Sequence, residues 1–206
     1  MEIRRFFVDN SDICNDVVTL TGDEFSHMVK VLRYKVGFKA VMCANDGIER
    51  LCTVNEIGKD FATLVIEQET VQDVKNAHVT LFAGLLKNNK LDFVVQKSVE
   101  LGVDEIIPFA SHNCAETKFA KDRAEKIALE AAKQCGSAYL SKVGSLENFD
   151  EVLARFKEFD TVLFAYENEK KNRIKDCRID GKNVALVVGP EGGFTPEETE
   201  KAKECG

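Results

Sequence analysis

The sequence is poor in the residues that build metal sites. It contains only three histidines, and none of them lies at ligand spacing from another along the chain: His27, His78 and His112. Its seven cysteines are an odd number and include no CxxC pair, so the pattern favours neither a zinc site nor a disulfide framework. We therefore expect a protein without a metal, whose thiols stay reduced as they do in the cytoplasm.

Long apolar runs are also missing. No stretch approaches the roughly 20 residues that a membrane-spanning helix needs. The first five residues, Met-Glu-Ile-Arg-Arg, contain no apolar core of the kind found in export signals. The sequence thus predicts a cytoplasmic location and no membrane partner.

Acidic residues are absent from one segment of an acidic chain. The 206 residues carry a formal net charge of −7, which argues against a bulk electrostatic attraction to RNA. The segment 25–45 nevertheless contains no acidic residue and four basic ones: Lys30, Arg33, Lys35 and Lys39. Arg4 and Arg5 would add to them if the first strand lies nearby. The segment is either a nucleic-acid contact or a solvated basic face.

Residues 1–72 have the pattern of a small β domain. Short apolar runs recur at turn spacing, and the Asn-Asp-Gly turn at 45–47 predicts a hairpin between two of them. A potential capping box at 21–24, Thr to Glu, predicts one helix that continues through Arg33. The polar stretch 67–76 has no periodic pattern and is the expected linker. These features together predict a small β-barrel.

From residue 77 onward, apolar strand patterns alternate with helical ones. The strand patterns lie at 79–85, 105–109, 161–165 and 184–188, and the helical ones at 91–101 and 124–135. This alternation predicts a largely parallel sheet. Ligands of such sheets bind beyond the carboxyl ends of the strands.

The most informative segment joins the last of these strands to a helix. The turn from Gly189 to Gly193 reads Gly-Pro-Glu-Gly-Gly, and Thr195 with Glu198 forms a capping box after it. A loop of this kind presents backbone N–H groups to a ligand. It lacks the ending of a phosphate loop and the GxGxxG of a dinucleotide fold, and Glu191 would repel phosphate. We therefore expect a ligand whose reacting end is neutral or cationic.

Six segments, in order along the chain, carry a resemblance to a known family. They are 4–8, 27–33, 91–108, 130–136, 164–167 and the loop Gly-Pro-Glu-Gly-Gly-Phe at 189–194. In these segments the chain resembles the RsmE family, methyltransferases of the SPOUT (α/β-knot) superfamily. The resemblance implies an α+β protein of two domains, with a PUA-like, RNA-binding β-barrel at 1–72 and an α/β SPOUT methyltransferase domain at 73–206.

The resemblance also implies a reaction. The methyl group of S-adenosylmethionine would be transferred to N3 of a uridine in small-subunit (16S) rRNA, without a metal. The partner would be 16S rRNA or the small ribosomal subunit, and the complete protein would be a homodimer.

The same resemblance assigns site residues. The cofactor would contact Phe164, Ala165, Tyr166, Glu167, Gly189, Pro190, Gly192 and Gly193, while the RNA would contact Arg4, Arg5, Lys30, Arg33, Lys35, Gln96, Lys97 and Glu100. Glu191 would orient the cofactor or act as the catalytic base, or, as an exposed loop carboxylate, would do neither. Simpler explanations are a tight turn for the loop, packing for Tyr166 and a solvated helix face for the last three RNA residues. Cys114 and Cys135 are expected to be small buried residues, since no histidine is placed to activate them.

Two departures from the family pattern leave alternatives open. Residues 137–141 read Ser-Ala-Tyr-Leu-Ser where the family commonly has an arginine and then a proline, so an RNA-facing cation is expected to be missing. The sequence ends at Gly206, whereas the family continues into the segment that threads the knot, so we expect that segment and part of the cofactor site to be absent from this chain. One alternative is therefore an RNA-binding protein without catalytic activity. The other is a small-molecule enzyme whose barrel serves dimerisation.

Overall fold

The computed structural model describes residues 3–73, 75–170 and 173–205, and the chain divides into two compact units. The first unit comprises Met1–Val74 together with Ala132–Leu140, and the second comprises Lys75–Ala131 together with Ser141–Gly206.

The first unit is built on a six-stranded sheet. Its elements are β1 (Arg4–Phe7), β2 (Ile13–Cys14), β3 (Val17–Thr21), α1 (Gly22–Ser26), a π-helical turn (His27–Val31), β4 (Lys39–Cys43), β5 (Ile48–Ile57) and β6 (Phe61–Val71). The strand order is β1-β4-β5-β6-β3-β2, and of these pairs only β1 with β4 is parallel. The hairpin predicted at the Asn-Asp-Gly turn is confirmed, because β4 and β5 flank it and pair antiparallel.

One apolar core fills this unit. Every strand of the sheet and helix α1 contribute side chains to it, including Phe6, Ile13, Leu20, Phe25, Met42, Val54 and Leu64. A sheet whose strands all point into the same interior is curled around that interior, as in a small barrel. The expected barrel-like β domain is therefore present.

The helix predicted through Arg33 differs from the observed one. The α-helix ends at Ser26, and the π-helical turn that continues it ends at Val31. Arg33 lies in the left-handed region at φ +57°, where a helix cannot continue. The predicted capping box is also wrong, because the Thr21 side chain makes no capping bond. The Glu24 carboxylate instead lies 2.6 Å from the ammonium of Lys133, a partner that is distant in sequence.

The expected linker at 67–76 is partly strand. β6 continues to Val71, which pairs with Ile48, and the Gln72 N–H donates to the Gly47 carbonyl at 2.9 Å. Residues 67–71 are exposed, so no buried face imposes the alternation by which a strand is recognised.

A distant segment, 132–140, completes the first unit. The Gln72 side chain donates to the Gly136 carbonyl at 2.8 Å and accepts from the Ala138 N–H at 2.9 Å. The Leu140 N–H donates to the Asn45 side chain at 2.7 Å. The ion pair with Glu24 adds a third connection, and the Lys133 side chain is only 9% exposed.

The second unit is an α/β domain. Its elements are β7 (His78–Gly84), α2 (Lys90–Glu100), β8 (Glu105–Ala110), α3 (Lys121–Cys135, whose last residues group with the first unit), β9 (Lys142–Val143), β10 (Glu147–Asn148), α4 (Phe149–Ala154), β11 (Thr161–Ala165), β12 (Asn183–Val188) and α5 (Pro196–Glu204). The strand order is β10-β8-β7-β12-β11, β9 also pairs with β8, and every pair is parallel. The predicted parallel sheet is confirmed.

Both faces of this sheet are covered, which explains the nearly continuous apolar strands. In β7, Phe82 packs into a core with Phe149 and Val187, while its neighbour Leu81 packs into a second core with Leu91 of α2. The helix α5 begins with the predicted capping box of Thr195 and Glu198.

The two cysteines predicted to be buried are not. Cys114 is half-buried, and Cys135 at the end of α3 is exposed. Four alanines form the buried stripe of α3 instead: Ala124, Ala128, Ala131 and Ala132. Cys135 lies one helical turn beyond Ala131 but is the last residue of the helix, where less of the fold covers it.

Candidate functional site

A cavity of about 880 Å³ lies at the carboxyl ends of β11 and β12. Because parallel strands end at the same edge, the residues that follow these two neighbouring strands are brought together. All of the predicted cofactor residues except Gly192 line it: Phe164, Ala165, Tyr166, Glu167, Gly189, Pro190 and Gly193. Leu186, Val188 and the α5 residues Thr199 and Ala202 add further lining, so the walls are mainly apolar.

The glycine loop is a tight turn in which side chains would collide with the site. The Gly193 N–H donates to the Pro190 carbonyl at 2.9 Å, and Gly193 has a φ of +65°. A Cβ at Gly193 would meet the Glu167 carboxylate. A Cβ at Gly189 would lie 2.9 Å from the ring of Phe194. Both glycines therefore allow the loop to pack closely against its neighbours.

Phe194 fixes the loop to the sheet. Its side chain is buried, and its ring centroid lies 4.4 Å from that of Phe164 on β11 and 6.1 Å from that of Phe109 on β8. These contacts connect the loop to two strands through apolar packing, which disfavours displacement of the loop into solvent.

Gly84, at the end of the central strand β7, is a site residue that the sequence reasoning missed. A Cβ at this position would lie 2.7 Å from the carbonyl carbon of Gly189 and 2.7 Å from Pro190 Cδ. The absence of a side chain at Gly84 thus lets the glycine loop reach the neighbouring strand. A glycine at the end of an apolar strand is the available sequence signal, because such a glycine often marks a close backbone approach.

Asn113, in the loop between β8 and α3, is a second residue that the sequence reasoning missed. Its side-chain amide donates to the carbonyls of Gly192 at 3.1 Å and Gly193 at 3.2 Å. A Cβ at Gly192 would lie 2.8 Å from Asn113 Cβ. Gly192 therefore faces Asn113 rather than the cavity. No pattern in the sequence signals this contact, because the partners are far apart along the chain.

Glu191, the predicted catalytic residue, points toward the start of α2. Its carboxylate lies 3.0 Å from the Lys90 ammonium and accepts the Lys87 N–H at 3.3 Å. The hydrogen bond from Lys90 lowers the pKa of the Glu191 carboxyl below its usual value. Glu191 is thus ionised at neutral pH and is a weaker base than an isolated glutamate. It follows directly after Pro190 of the cavity lining, and its catalytic role remains a prediction.

The turn between β7 and α2 has an unusual backbone. Asn88 and Asn89 have φ values of +54° and +59°, the left-handed region that asparagine tolerates better than most residues. This turn positions the Lys87 N–H and the Lys90 side chain at the Glu191 carboxylate.

The predicted RNA residues of the first unit fall into two groups. Arg4, Lys30, Arg33 and Lys35 are exposed. Arg5 is not available in the same way, because its guanidinium lies 2.7 Å from the Glu49 carboxylate and 2.8 Å from the Cys43 sulfur, with 11% of the side chain exposed. Arg5 therefore contributes to the structure of the β domain. Because these contacts cover most of its side chain, little of the guanidinium is exposed for the predicted RNA contact.

The predicted RNA residues of α2 share one side of that helix. Gln96 and Glu100 are exposed, and the Lys97 ammonium lies 2.6 Å from the Glu100 carboxylate and 5.7 Å from the Phe93 ring centre. These local pairs are also what a solvated helix face makes. The RNA role of this side of α2 remains a prediction.

The described residues contain no group of histidine, cysteine, aspartate or glutamate side chains that could bind a metal ion. All seven cysteines are free thiols. Within the same residues, no helix combines the length and apolar character needed to cross a membrane.

Comparison with known families identifies the class of protein to which the chain belongs. Residues 73–206 match the family described as RNA methyltransferase domain, and residues 20–67 match the RNA methyltransferase PUA domain. A PUA-like β domain and a parallel α/β domain whose glycine loop borders a cavity thus define an RNA methyltransferase.

Comparison with individual proteins narrows this class to one family. The chain is similar to the ribosomal RNA small subunit methyltransferase E of Bacillus subtilis, with 32% identity over 90% of this chain and 78% of the relative. It is also similar to the protein of that name from Rickettsia conorii, with 26% identity over 97% of this chain and 83% of the relative. The chain belongs to the ribosomal RNA small subunit methyltransferase E (RsmE) family, which confirms the resemblance found in the sequence.

Solved structures have the same fold. A crystal structure described as a hypothetical protein matches with a TM-score of 0.86 and 28% identity over 98% of this chain and 86% of that one. The ribosomal RNA small subunit methyltransferase E of Neisseria gonorrhoeae, bound to S-adenosyl methionine, matches with a TM-score of 0.84 and 24% identity over 99% of this chain and 86% of that one. The expected combination of a PUA-like domain with an α/β methyltransferase domain is confirmed.

Proposed function

We propose that this chain transfers the methyl group of S-adenosylmethionine to N3 of a uridine in the 16S rRNA of the small ribosomal subunit. The observation that carries this proposal is the cavity formed by the end of β11 and the glycine loop after β12, in a member of the RsmE family. The names of the relatives support the small subunit as the source of the substrate.

The cavity has properties that suit S-adenosylmethionine. A volume of about 880 Å³ lies within the usual range of small-molecule sites. The backbone of Gly189, Pro190 and Gly193 would border the adenosine, with residues 164–167 as the opposite wall. Glu167 supplies a carboxylate at a site that must accept a cationic ligand. The bound cofactor in the Neisseria relative of the same fold supports this assignment.

When bound, S-adenosylmethionine supplies an electrophilic methyl group on a positively charged sulfur. The reaction is an in-line displacement, so the chief task of the protein is to position the two reactants. The tight loop and its apolar neighbours perform this task by fixing one wall of the cavity and excluding water. The N3–H of uridine is weakly acidic, and we assign Glu191 as the residue that accepts this proton or orients the cofactor.

The two parts of the chain receive different roles in the proposal. Residues 1–72 would bind RNA through the exposed basic residues Arg4, Lys30, Arg33 and Lys35. Residues 73–206 would form a methyltransferase domain of the SPOUT superfamily. The enzyme would act as a homodimer in the cytoplasm, where its ribosomal substrate is found.

Two measurements test the proposal. Calorimetric titration should show that the chain binds S-adenosylmethionine, and a tritiated-methyl assay should show transfer to small subunits that lack the modification. Mapping of the product by nuclease digestion and mass spectrometry should place the methyl group on N3 of one uridine. RNA binding without cofactor binding would favour an RNA-binding protein without catalysis, and methylation of free nucleosides alone would favour a small-molecule enzyme.

A further inference from the structure

One side-chain amide binds the carbonyls of two adjacent glycines of the cofactor loop, Gly192 and Gly193. The Asn113 Nδ2 group lies 3.1 Å from the Gly192 carbonyl oxygen and 3.2 Å from that of Gly193. An amide NH₂ has two N–H bonds, so these two contacts use its whole donor capacity. The bond to Gly193 is part-buried, which reduces competition from water there, whereas the bond to Gly192 is exposed.

His112 supports one orientation of this amide when its Nδ1 atom carries the proton. Its Nδ1 atom lies 3.1 Å from Asn113 Oδ1, and with the proton on Nδ1 the imidazole donates to that oxygen. An amide flipped by 180° would direct its oxygen toward the two glycine carbonyls, where acceptor would face acceptor. The histidine contact and the two carbonyls therefore favour the same amide orientation.

The backbone of the neighbouring residue, His112, binds the first turn of α5, which follows the glycine loop. The His112 N–H donates to Glu198 Oε1 at 2.9 Å, while Glu198 Oε2 accepts the Thr195 N–H at 2.9 Å. Glu198 thus caps its own helix with one oxygen and binds the β8–α3 loop with the other. Two adjacent residues, His112 and Asn113, consequently connect to both ends of the segment 192–198.

These contacts hold residues that line the cavity, although Asn113 itself lies outside it. Asn113 does not line the cavity, whereas Pro190 and Gly193 do. Both backbone polar groups of Gly193 are bonded: its N–H donates to the Pro190 carbonyl, and its carbonyl accepts from the Asn113 amide. Loss of the Asn113 amide would free two carbonyls and allow the turn to move.

We infer that Asn113 is a positioning residue of the cofactor loop, which sets the shape of the Gly189–Gly193 turn for S-adenosylmethionine without touching it. The inference rests on the proposed function for the identity of the ligand. The order of the loop in the protein without cofactor does not depend on that identity and can be measured separately.

The test uses Asn113→Ala and the isosteric Asn113→Asp, which keeps the packing but removes the donor group. Asn148→Ala is the matched control, because Asn148 caps α4 by accepting the Glu151 N–H at 2.9 Å, and its two capping bonds both go to Glu151 rather than to the glycine loop. The measurements are hydrogen exchange of residues 189–195 without cofactor, the calorimetric Kd for S-adenosylmethionine, and KM and kcat.

In both Asn113 variants we expect faster exchange in 189–195 and a Kd and KM for S-adenosylmethionine raised about tenfold, as lost hydrogen bonds of ordinary strength predict. The kcat at saturating cofactor should fall less, and Asn148→Ala should change neither the exchange of the loop nor the Kd. Unchanged exchange in the Asn113 variants would overturn the inference. Faster exchange in a protein whose parent form binds no S-adenosylmethionine would support the positioning of the loop and overturn the proposed function alone.

Discussion

The carboxylate of Glu191 lies 3.0 Å from the ammonium of Lys90, so the acidic residue of the glycine loop forms an ion pair with the first residue of α2. The two residues follow the neighbouring strands β12 and β7, whose ends meet at Gly84 and Pro190. The pair places a carboxylate and a cation next to Pro190 of the cavity lining, and the proposed base role of Glu191 depends on this carboxylate.

This pair predicts a pH effect on methyl transfer. A general base is active when deprotonated, so activity is lost as the pH falls through the pKa of Glu191. Because Lys90 lowers that pKa, the acid limb of the pH–rate profile should lie below the usual glutamate range. Lys90→Ala should move the limb to higher pH, toward the usual glutamate range, and Lys90→Arg should leave it nearly in place. The measurement is kcat as a function of pH for the three proteins.

Glu191→Gln tests the base role directly. It should lower kcat by about a hundredfold, near the lower end for general bases, since a lowered pKa makes this carboxylate a weak one. The affinity for S-adenosylmethionine should change little. A variant with normal kcat and a raised KM would instead show that Glu191 only orients Lys90 or the cofactor.

Gly193→Ala should weaken cofactor binding by at least tenfold. The added Cβ meets the Glu167 carboxylate in the cavity, and the left-handed backbone at φ +65° costs alanine about 1 kcal/mol. Gly102→Ala is the matched control, because Gly102 has a φ of +84° with open space around its Cβ position and lies at the end of α2. The measurement is the calorimetric affinity of each variant for S-adenosylmethionine. If Gly193→Ala and Gly102→Ala bind the cofactor equally well, the contact of the added Cβ with the cavity does not contribute to the loss of affinity.

The exposed basic residues of the first unit should account for RNA affinity. Arg33→Ala and Lys35→Ala should weaken binding without changing which uridine is methylated, because phosphate contacts carry no sequence information. Each should also reduce the slope of log affinity against log salt by roughly 0.7 to 0.9 per contact.

Arg5→Ala should behave differently. Loss of its bonds to Glu49 and Cys43 should destabilise the first unit by about 2 kcal/mol and leave the salt dependence of RNA binding unchanged. An Arg5 variant with full stability and a reduced salt slope would contradict this assignment and return Arg5 to the RNA contacts.

Asp46 should make the stability of the first unit depend on pH. Its carboxylate lies 2.6 Å from the guanidinium of the buried Arg50, and the hydrogen bond from Arg50 lowers the pKa of Asp46. A lowered native pKa contributes stability that is fully present above the unfolded value of about 3.9 and is lost as the pH falls through the native value. Asp46→Asn should therefore cost about 2 kcal/mol at pH 7 and less at a pH below about 3.9.

Tyrosine fluorescence can follow this unfolding, because the chain has no tryptophan and Tyr34 is buried in the first unit. A stability difference between Asp46→Asn and the parent protein that is the same at both pH values would contradict the assigned pKa shift.

The sequence predicted the strands of the second unit because their environment leaves a strong pattern. β7 and β12 contribute side chains to apolar cores on both faces of the sheet, and β8 and β11 flank them, so all four read as short apolar runs with turns between them. The capping box of α5 was predictable for a similar reason, since Thr195 and Glu198 interact within one helical turn.

Features that depend on distant partners could not be predicted in this way. Thr21 and Glu24 have the spacing of a capping box, but Lys133 binds the Glu24 carboxylate instead. The predicted cofactor residues were brought together by the parallel order of β11 and β12, while Gly192 turned toward Asn113 in a loop about 80 residues earlier. Local periodicity contains no information about such pairings.

The segment 132–140 has a consequence for attempts to divide this chain. A fragment that ends near residue 72 lacks the partners of Gln72, Asn45 and Glu24, so polar groups that are satisfied in the whole protein would lose those bonds. An autonomous RNA-binding fragment would require the distant peptide to be grafted back through an artificial connection. A single cut in the sequence near residue 72 does not separate the two compact units, because the first unit also includes Ala132–Leu140. Exchanging domains between related proteins at this position would therefore separate residues that belong to one unit.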